Sequence, residues 1–175
     1  GCAVTSWRNA SATSTKRDGY ARFLWEKRQR KGMSLDEARR RIFNGNYFGS
    51  CMVANGEADA LVSGVNLHYP ETIRPALEVI GAHSKAGIVA GLYMLVFEHP
   101  VVICGDTTVT IDPTAENLAN IALAAARISR TLGIEPKIAM LSFSNFGSVR
   151  HPETEKVARA VALLRERDPS LVVDG

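Results

Sequence analysis

Residues 112–133 read DPTAENLANIALAAARISRTLG, followed by KIAMLSF (137–143), HPETEKVARAVALLRER (151–167) and LVVDG (171–175). Leu118, Ile121, Ala122, Ala125, Ile128 and Leu132 recur at helical spacing, and Gly133 is the stop. KIAMLSF reads as a strand. The next stretch has Pro152 near its start and Val157, Ala160, Val161 and Leu164 inside, so it reads as a second helix. LVVDG reads as a last strand. With VVICGD (101–106) ahead of them, the order is strand–helix–strand–helix–strand, which implies a parallel sheet with right-handed crossovers. The expected class is α/β, a mostly parallel sheet with helices on both faces.

Toward the N-terminus, GIVAGLYMLVF (87–97) and VVICGD flank EHP and read as strands, with a hairpin as one arrangement. ADALVSGV (58–65) is apolar without alternation, the pattern of a buried parallel strand. The loop NLHYPET (66–72) leads into a helix through Ile73, Leu77 and Ile80. Pro75 is expected in its first turn, where a missing N–H does little harm. Tyr20, Phe23, Leu24 and Lys27 share one helical face, and Gly32 ends that helix. Ser34 starts another, with Glu37 three residues on as a capping box and Leu35, Ala38 and Ile42 on the buried side. A third short helix is expected over 47–55. Residues 1–18 are rich in Ser, Thr and Ala with no apolar period, and read as a flexible lead-in.

Composition narrows the function. The chain has 175 residues, 46% of them hydrophobic and 22% charged, which suits a folded protein rather than a disordered one. Its 21 basic and 18 acidic residues leave a net charge of +3, too small an excess for a nucleic-acid binder. No apolar run reaches the roughly 18 residues of a membrane span. The three cysteines, Cys2, Cys51 and Cys104, are too sparse for a disulfide framework and imply reduced thiols in a cytoplasmic protein. The chain starts with Gly1 and reads as a piece of a longer protein. His68, His83, His99 and His151 share no metal-ligand spacing, so no metal site is expected. GxGxxG, Walker A and GxSxG motifs are all missing. Cys51 and Cys104 lie in apolar contexts and read as core thiols, not nucleophiles.

In parallel α/β sheets, ligands bind beyond the C-terminal strand ends. That edge carries Ser63, Gly64 and Asn66, then Asp106 and Thr107, then Ser142, Ser144, Asn145 and Ser148, and finally Asp174. Such residues supply backbone N–H groups and hydroxyls for an anion. EKRQRKG (26–32) and ARRRIF (38–43) are dense in cations, and the ordinary reading of such runs is a solvated helix face. Arg74 differs: at a helix start the dipole disfavours a cation, so it is expected to serve a partner such as phosphate.

MVANGEADALVSGV, ETIRPALEVIG, DPTAENLANIA, IEPKIAMLSFSNFGS and EKVARAVALLRERDPSLVVDG, in that order, resemble the phosphate acetyl/butyryltransferase family over about residues 20–175. NYFGSCMV, NLHYPETIRPAL and SFSNFGSVRHPETEKV look most like the phosphotransacetylase-like C-terminal domain of bacterial NADP-dependent malic enzymes. Asn145-Phe146-Gly147-Ser148 stands where stand-alone phosphotransacetylases tend to have a Lys-Gly-Ser-like turn. The resemblance implies a two-part fold of the isocitrate/isopropylmalate dehydrogenase type, truncated here. Residues 19–82 would end the first part, 83–175 would start the second, and the active cleft would lie between the parts. It maps two phosphate-holding arginines onto Arg28 and Arg74; the polar strand-end loops add Asn66, Ser144 and Asn145 as further binding residues. Ser63, Asp106, Thr107, Ser142 and Ser148 would form the cleft edge.

A serine–arginine pair and an aspartate that the family places after VVDG lie outside this sequence, so no catalytic residue is assigned to it and the fragment alone is expected to be inactive. The reading is therefore an acyl-CoA-binding, regulatory and oligomerising domain of an NADP-dependent malic enzyme, which decarboxylates malate to pyruvate. Its NADP and divalent metal would be held by an N-terminal domain outside this sequence. The alternative is part of a phosphate acyltransferase that makes CoA and acyl phosphate from acyl-CoA and phosphate. Either way the expected ligands are acetyl-CoA or CoA, or another phosphate-bearing small molecule. Self-association is expected, with neither nucleic acid nor membrane as a partner.

Overall fold

The computed structural model describes residues 15–82, 89–98, 100–145 and 147–175. The chain divides into two compact units, residues 1–82 and 83–175. Most of the lead-in, and the start of the strand expected over 87–97, lie outside the described residues.

The first unit is helical. Helix α1 (Arg17–Arg28) runs into a 3-10 turn (Gln29–Lys31), then come α2 (Leu35–Ile42), α3 (Gly45–Ala54) and α4 (Tyr69–Val79). Gly32 closes the 3-10 turn at φ 88°, in the left-handed region that disfavours side chains with a Cβ. Ser34 caps α2 by accepting from Glu37 N at 3.1 Å. The expected capping box is half formed, because the Glu37 carboxylate turns to Arg41 instead. Tyr20, Leu24, Ala38, Ile42, Phe48, Cys51 and Val79 make the core, so each of the four helices contributes one apolar face. Lys27 sets its ammonium over the Phe23 ring, 4.5 Å from the centroid, and donates to the last carbonyl of α4, Val79 O, at 2.7 Å.

Two expectations about α4 are corrected. The helix begins at Tyr69, so Pro70 occupies its first turn and Pro75 lies in its interior. Arg74 is accordingly in the second turn rather than at the start. An interior proline leaves the carbonyl four residues earlier without its N–H partner. That carbonyl, Glu71 O, is supplied from outside the helix by Asn46 Nδ2 at 3.2 Å. Asn46 is 3% exposed, and its Oδ1 accepts from Ser63 Oγ at 2.6 Å. One buried amide thus ties α3, α4 and the 61–64 segment together. Gly49 helps, since a Cβ there would meet Leu61 Cδ1 at 2.7 Å. The 58–65 segment is not the buried strand expected. It has no ladder partner among the described residues, and Val62 and Val65 are 91% and 95% exposed.

The second unit holds β1 (Leu92–Val96), β2 (Val101–Gly105), α5 (Ala115–Thr131), β3 (Lys137–Ala139), α6 (Pro152–Arg167) and β4 (Val172–Asp174). The single, mostly parallel sheet is also corrected. β1 and β2 form an antiparallel hairpin, with Leu92 opposite Gly105 and Val96 opposite Val101. β3 and β4 pair in parallel, Ile138 opposite Val173, and the ladder extends through Met140 N to Asp174 O at 2.8 Å. At three residues each, β3 and β4 form a two-stranded ladder separate from the hairpin.

The two long helices are as expected. Thr114 caps α5 through Asn117 N, and His151 caps α6 in a box closed by Thr154. Ala119, Ala122 and Ala126 face Val161 and Leu164, so small side chains admit a close approach of α5 to α6. The stripe is turned from the one expected: Ile128 and Leu132 are 43% and 50% exposed. Ile121 faces β2, where a Cβ on Gly105 would meet Ile121 Cγ2 at 2.9 Å.

Removing the Asn46 amide leaves a part-buried carbonyl unpaired, so Asn46→Ala should cost about 1–3 kcal/mol in urea unfolding. Pro75→Ala restores an N–H to Glu71 O, so in that background the cost of Asn46→Ala should fall by about 1 kcal/mol. Strictly additive effects would reject this account. Leu164→Ala, at a position with 0% exposure, should cost about 2–5 kcal/mol.

Candidate functional site

Within the first unit, the end of α1, the 3-10 turn, α2 and α4 surround a polar pocket of about 150 Å³. It is lined by Arg28, Lys31, Gly32, Met33, Glu37, Arg41 and Glu78. Arg28 is the last residue of α1, and its Nη2 lies 3.8 Å from Glu78 Oε1. Glu78 Oε2 is held more tightly, by Arg41 Nη1 at 2.5 Å and by the Tyr47 hydroxyl at 2.6 Å. Arg41 also donates to Tyr47 Oη at 2.9 Å and pairs with Glu37 at 2.6 Å.

Burial, reinforced by the Glu78 hydrogen bond and charge, pushes the Tyr47 hydroxyl up to about 12, so it remains a donor at neutral pH. For Arg41, burial acts downward, but the hydrogen bond to Glu37 and the charge and hydrogen bond of Glu78 raise it overall. Three cations therefore face two carboxylates, with one positive charge in excess.

Of the two mapped arginines, Arg28 is half-buried in this pocket and Arg74 is exposed on α4. Arg74 precedes Glu78 by four residues on the same helix, which places them on one ridge. Asn66 is exposed in the turn that follows Gly64. Ser63 is committed to Asn46.

The second unit brings its own residues together in two places. Asp106 follows β2 with φ 59°, a left-handed conformation that aspartate adopts more readily than most side chains, and its Oδ1 is buried without a partner among the described residues. Thr107 Oγ1 donates to Gly91 O at 3.3 Å. In the β3–α6 loop, Ser142 Oγ accepts from Ser144 N at 3.2 Å, and the hydroxyls of Ser144 and Ser148 are 3.2 Å apart. Asn145 is exposed, and its carbonyl accepts from Ser148 N at 3.0 Å. These side chains hold one another and leave an exposed, hydroxyl-rich loop.

Sequence reading missed Glu78, Tyr47 and Arg41. Arg41 sits in a run of three arginines read as a solvated face, a reading that fits Arg39, which pairs with the exposed Asp36 and Asp18. The available signals were the four-residue spacings Glu37–Arg41 and Arg74–Glu78. Among the described residues, no cluster of His, Cys, Asp or Glu could hold a metal ion, and no helix is long and apolar enough to cross a membrane.

A family model described as phosphate acetyl/butaryl transferase matches residues 5–175. The chain is 39% identical to a phosphate acetyltransferase of Synechocystis sp. over 163 residues, covering 93% of this chain and 23% of that protein. It is 38% identical to a phosphate acetyltransferase of Bacillus subtilis over 148 residues, covering 84% of this chain and 46% of that protein. Among solved structures, EutD phosphotransacetylase from Staphylococcus aureus superposes with a TM-score of 0.80 at 31% identity, covering 94% of this chain and 51% of that one. The chain thus spans about a quarter to a half of the length of the relatives it matches. On a match that runs over nearly its whole length, this chain belongs to the phosphate acetyl/butaryl transferase family.

Proposed function

We propose that the protein is a phosphate acetyltransferase, which moves an acetyl group between coenzyme A and inorganic phosphate. The family match over residues 5–175 carries this reading. In the forward direction a phosphate oxygen attacks the thioester carbonyl of acetyl-CoA. The carbon–oxygen bond of acetyl phosphate forms, the carbon–sulfur bond breaks, and the phosphate proton ends on the released thiol. The family likeness favours this over the malic-enzyme reading, because the relatives named above are acetyltransferases. It lends no support to a part for NADP or a divalent metal.

In this reading Arg28 and Arg74 hold the phosphate. Support comes from the spare positive charge of the pocket at Arg28 and from the position of Arg74, one turn before the Glu78 that faces Arg28. Arginine is suited to the task, since its planar donors match two phosphate oxygens at once. Asn66, Ser144 and Asn145 are assigned to ligand binding within their own units, with Ser148 at the cleft edge. The same reading takes residues 1–82 and 83–175 as portions of the two parts of an isocitrate/isopropylmalate dehydrogenase-type fold.

Self-association belongs to the proposal too. The β1–β2 hairpin displays Tyr93, Val96 and Phe97 at 54%, 71% and 56% exposure, an apolar surface suited to a second copy.

The full-length protein should form acetyl-CoA from acetyl phosphate and CoA, and should not reduce NADP with malate; the opposite pattern would reverse the choice. Arg74→Ala should raise KM for phosphate about 10- to 100-fold, as expected for losing a charge-assisted contact. An unchanged KM would remove Arg74 from the site. Sedimentation at tens of micromolar should give a dimer or larger species, and a clean monomer would defeat the self-association proposal.

A further inference from the structure

We infer that Thr154, in the first turn of α6, is a positioning residue: acting through Val149, it aims the Ser144 hydroxyl at a phosphoryl oxygen of the bound ligand. This rests on the acyltransferase reading above, in which Ser144, in the loop that leaves the C-terminal end of β3, belongs to the ligand site. The Thr154 hydroxyl accepts from His151 N at 3.1 Å, which closes the cap of α6. Its single proton has two acceptors in range, Val149 O at 3.0 Å and His151 O at 2.9 Å. His151 O already takes the N–H groups of Thr154 and Glu155, at 2.9 and 3.0 Å, so both of its lone pairs are filled. Val149 O has no other donor among the described residues, and the proton goes there. Val149 in turn donates its own N–H to Ser144 Oγ at 3.1 Å. Both polar backbone groups of Val149 are thus tied, one to the helix and one to the serine.

Ser144 Oγ lies 3.2 Å from Ser148 Oγ. Two hydroxyls carry two protons and share one bond, so one O–H of the pair has no acceptor among the described residues. Val149 N occupies one lone pair of Ser144, and when Ser148 donates the second is filled as well. Ser144 is then a donor and nothing else. It is half-buried, whereas Ser142, Asn145 and Ser148 around it are exposed. Ser142 cannot take the same part, because its O–H donates to Ser144 O at 3.1 Å. A phosphoryl oxygen, of free or acetyl phosphate or of CoA, accepts such a proton. A hydroxyl aimed in advance loses less freedom when the ligand arrives, and that saving appears as affinity. The ordinary alternative is a helix cap that only stabilises the unit.

Calorimetric titration of the full-length protein, with inorganic phosphate and with CoA in separate arms, decides between the two. Thr154→Val keeps the side-chain shape and removes the hydroxyl. It should raise the Kd of one of the two ligands about fivefold, the loss of one oriented hydrogen bond. Thr154→Ser keeps the hydroxyl and should stay within about twofold of the unmodified protein. In a Ser144→Ala background Thr154→Val should add nothing further, since the positioned group is gone. A rise for phosphate makes the free anion the partner of Ser144, and a rise for CoA makes it one of the CoA phosphates. Ser148→Ala, at an exposed position, covers the case in which Thr154→Val does not fold. It empties the second lone pair of Ser144 and should raise the same Kd about threefold.

Unchanged binding of both ligands, equal losses for both, or additive effects with Ser144→Ala would overturn the inference while leaving the acyltransferase reading intact. A protein that binds its ligand through Thr154 and Ser144 but transfers no acetyl group would overturn that reading and spare the inference. Failure of the unmodified protein to bind either ligand would overturn both.

Discussion

A proline in the middle of helix α4 sets the terms for the first unit. Pro75 cannot donate to Glu71 O, and a part-buried carbonyl without a partner is costly. Asn46 supplies the missing donor from α3 and spends its own oxygen on Ser63. The helix is therefore not a free-standing element. It is complete only when α3 lies beside it and the 61–64 segment lies against both. Arg74 immediately precedes Pro75 and Glu78 follows it by three residues, so the amide that repairs the helix also sets the register of both charged groups.

Around Glu78 the order of strengths matters more than the number of ion pairs. Exposed pairs such as Lys156–Asp112 add little, because water and mobile side chains oppose them. At Glu78, two short hydrogen bonds fall on one oxygen and a longer ion pair on the other. The carboxylate is thus rigid where it meets the helical core and loose where it faces the pocket.

Much of the fold is visible along the chain. Helices α5 and α6 follow from their apolar spacing, from Gly133 at the end of the first and from Pro152 near the start of the second. The capped start of α2 at Ser34 is equally local. What the sequence conceals depends on distant partners. Pro70 and Pro75 both qualify for the first turn of α4, and the choice between them turns on Asn46, which is 25 residues from the carbonyl it serves. ADALVSGV has the composition of a buried strand, but strand formation needs a ladder, and its Ser63 is taken by an asparagine side chain instead. The pairing of β1 with β2 and of β3 with β4 is a matter of hydrogen-bond partners, which apolar runs do not specify. Arg28 and Arg74 stand out only through the family likeness. Glu78, an ordinary acidic residue on an amphipathic helix, becomes conspicuous once Arg28, Arg41 and Tyr47 surround it.

Cys51 sits at 0% exposure in the core of the first unit, and burial, partly offset by Lys27, pushes its thiol up to about 12. A thiol so placed is closed to reagents for two reasons at once: they cannot reach it, and it is not ionised. It becomes reactive only when the helices around it part. The rate at which a small electrophile labels Cys51 is therefore a clock for the opening of that unit, built into the natural sequence and read without any introduced probe.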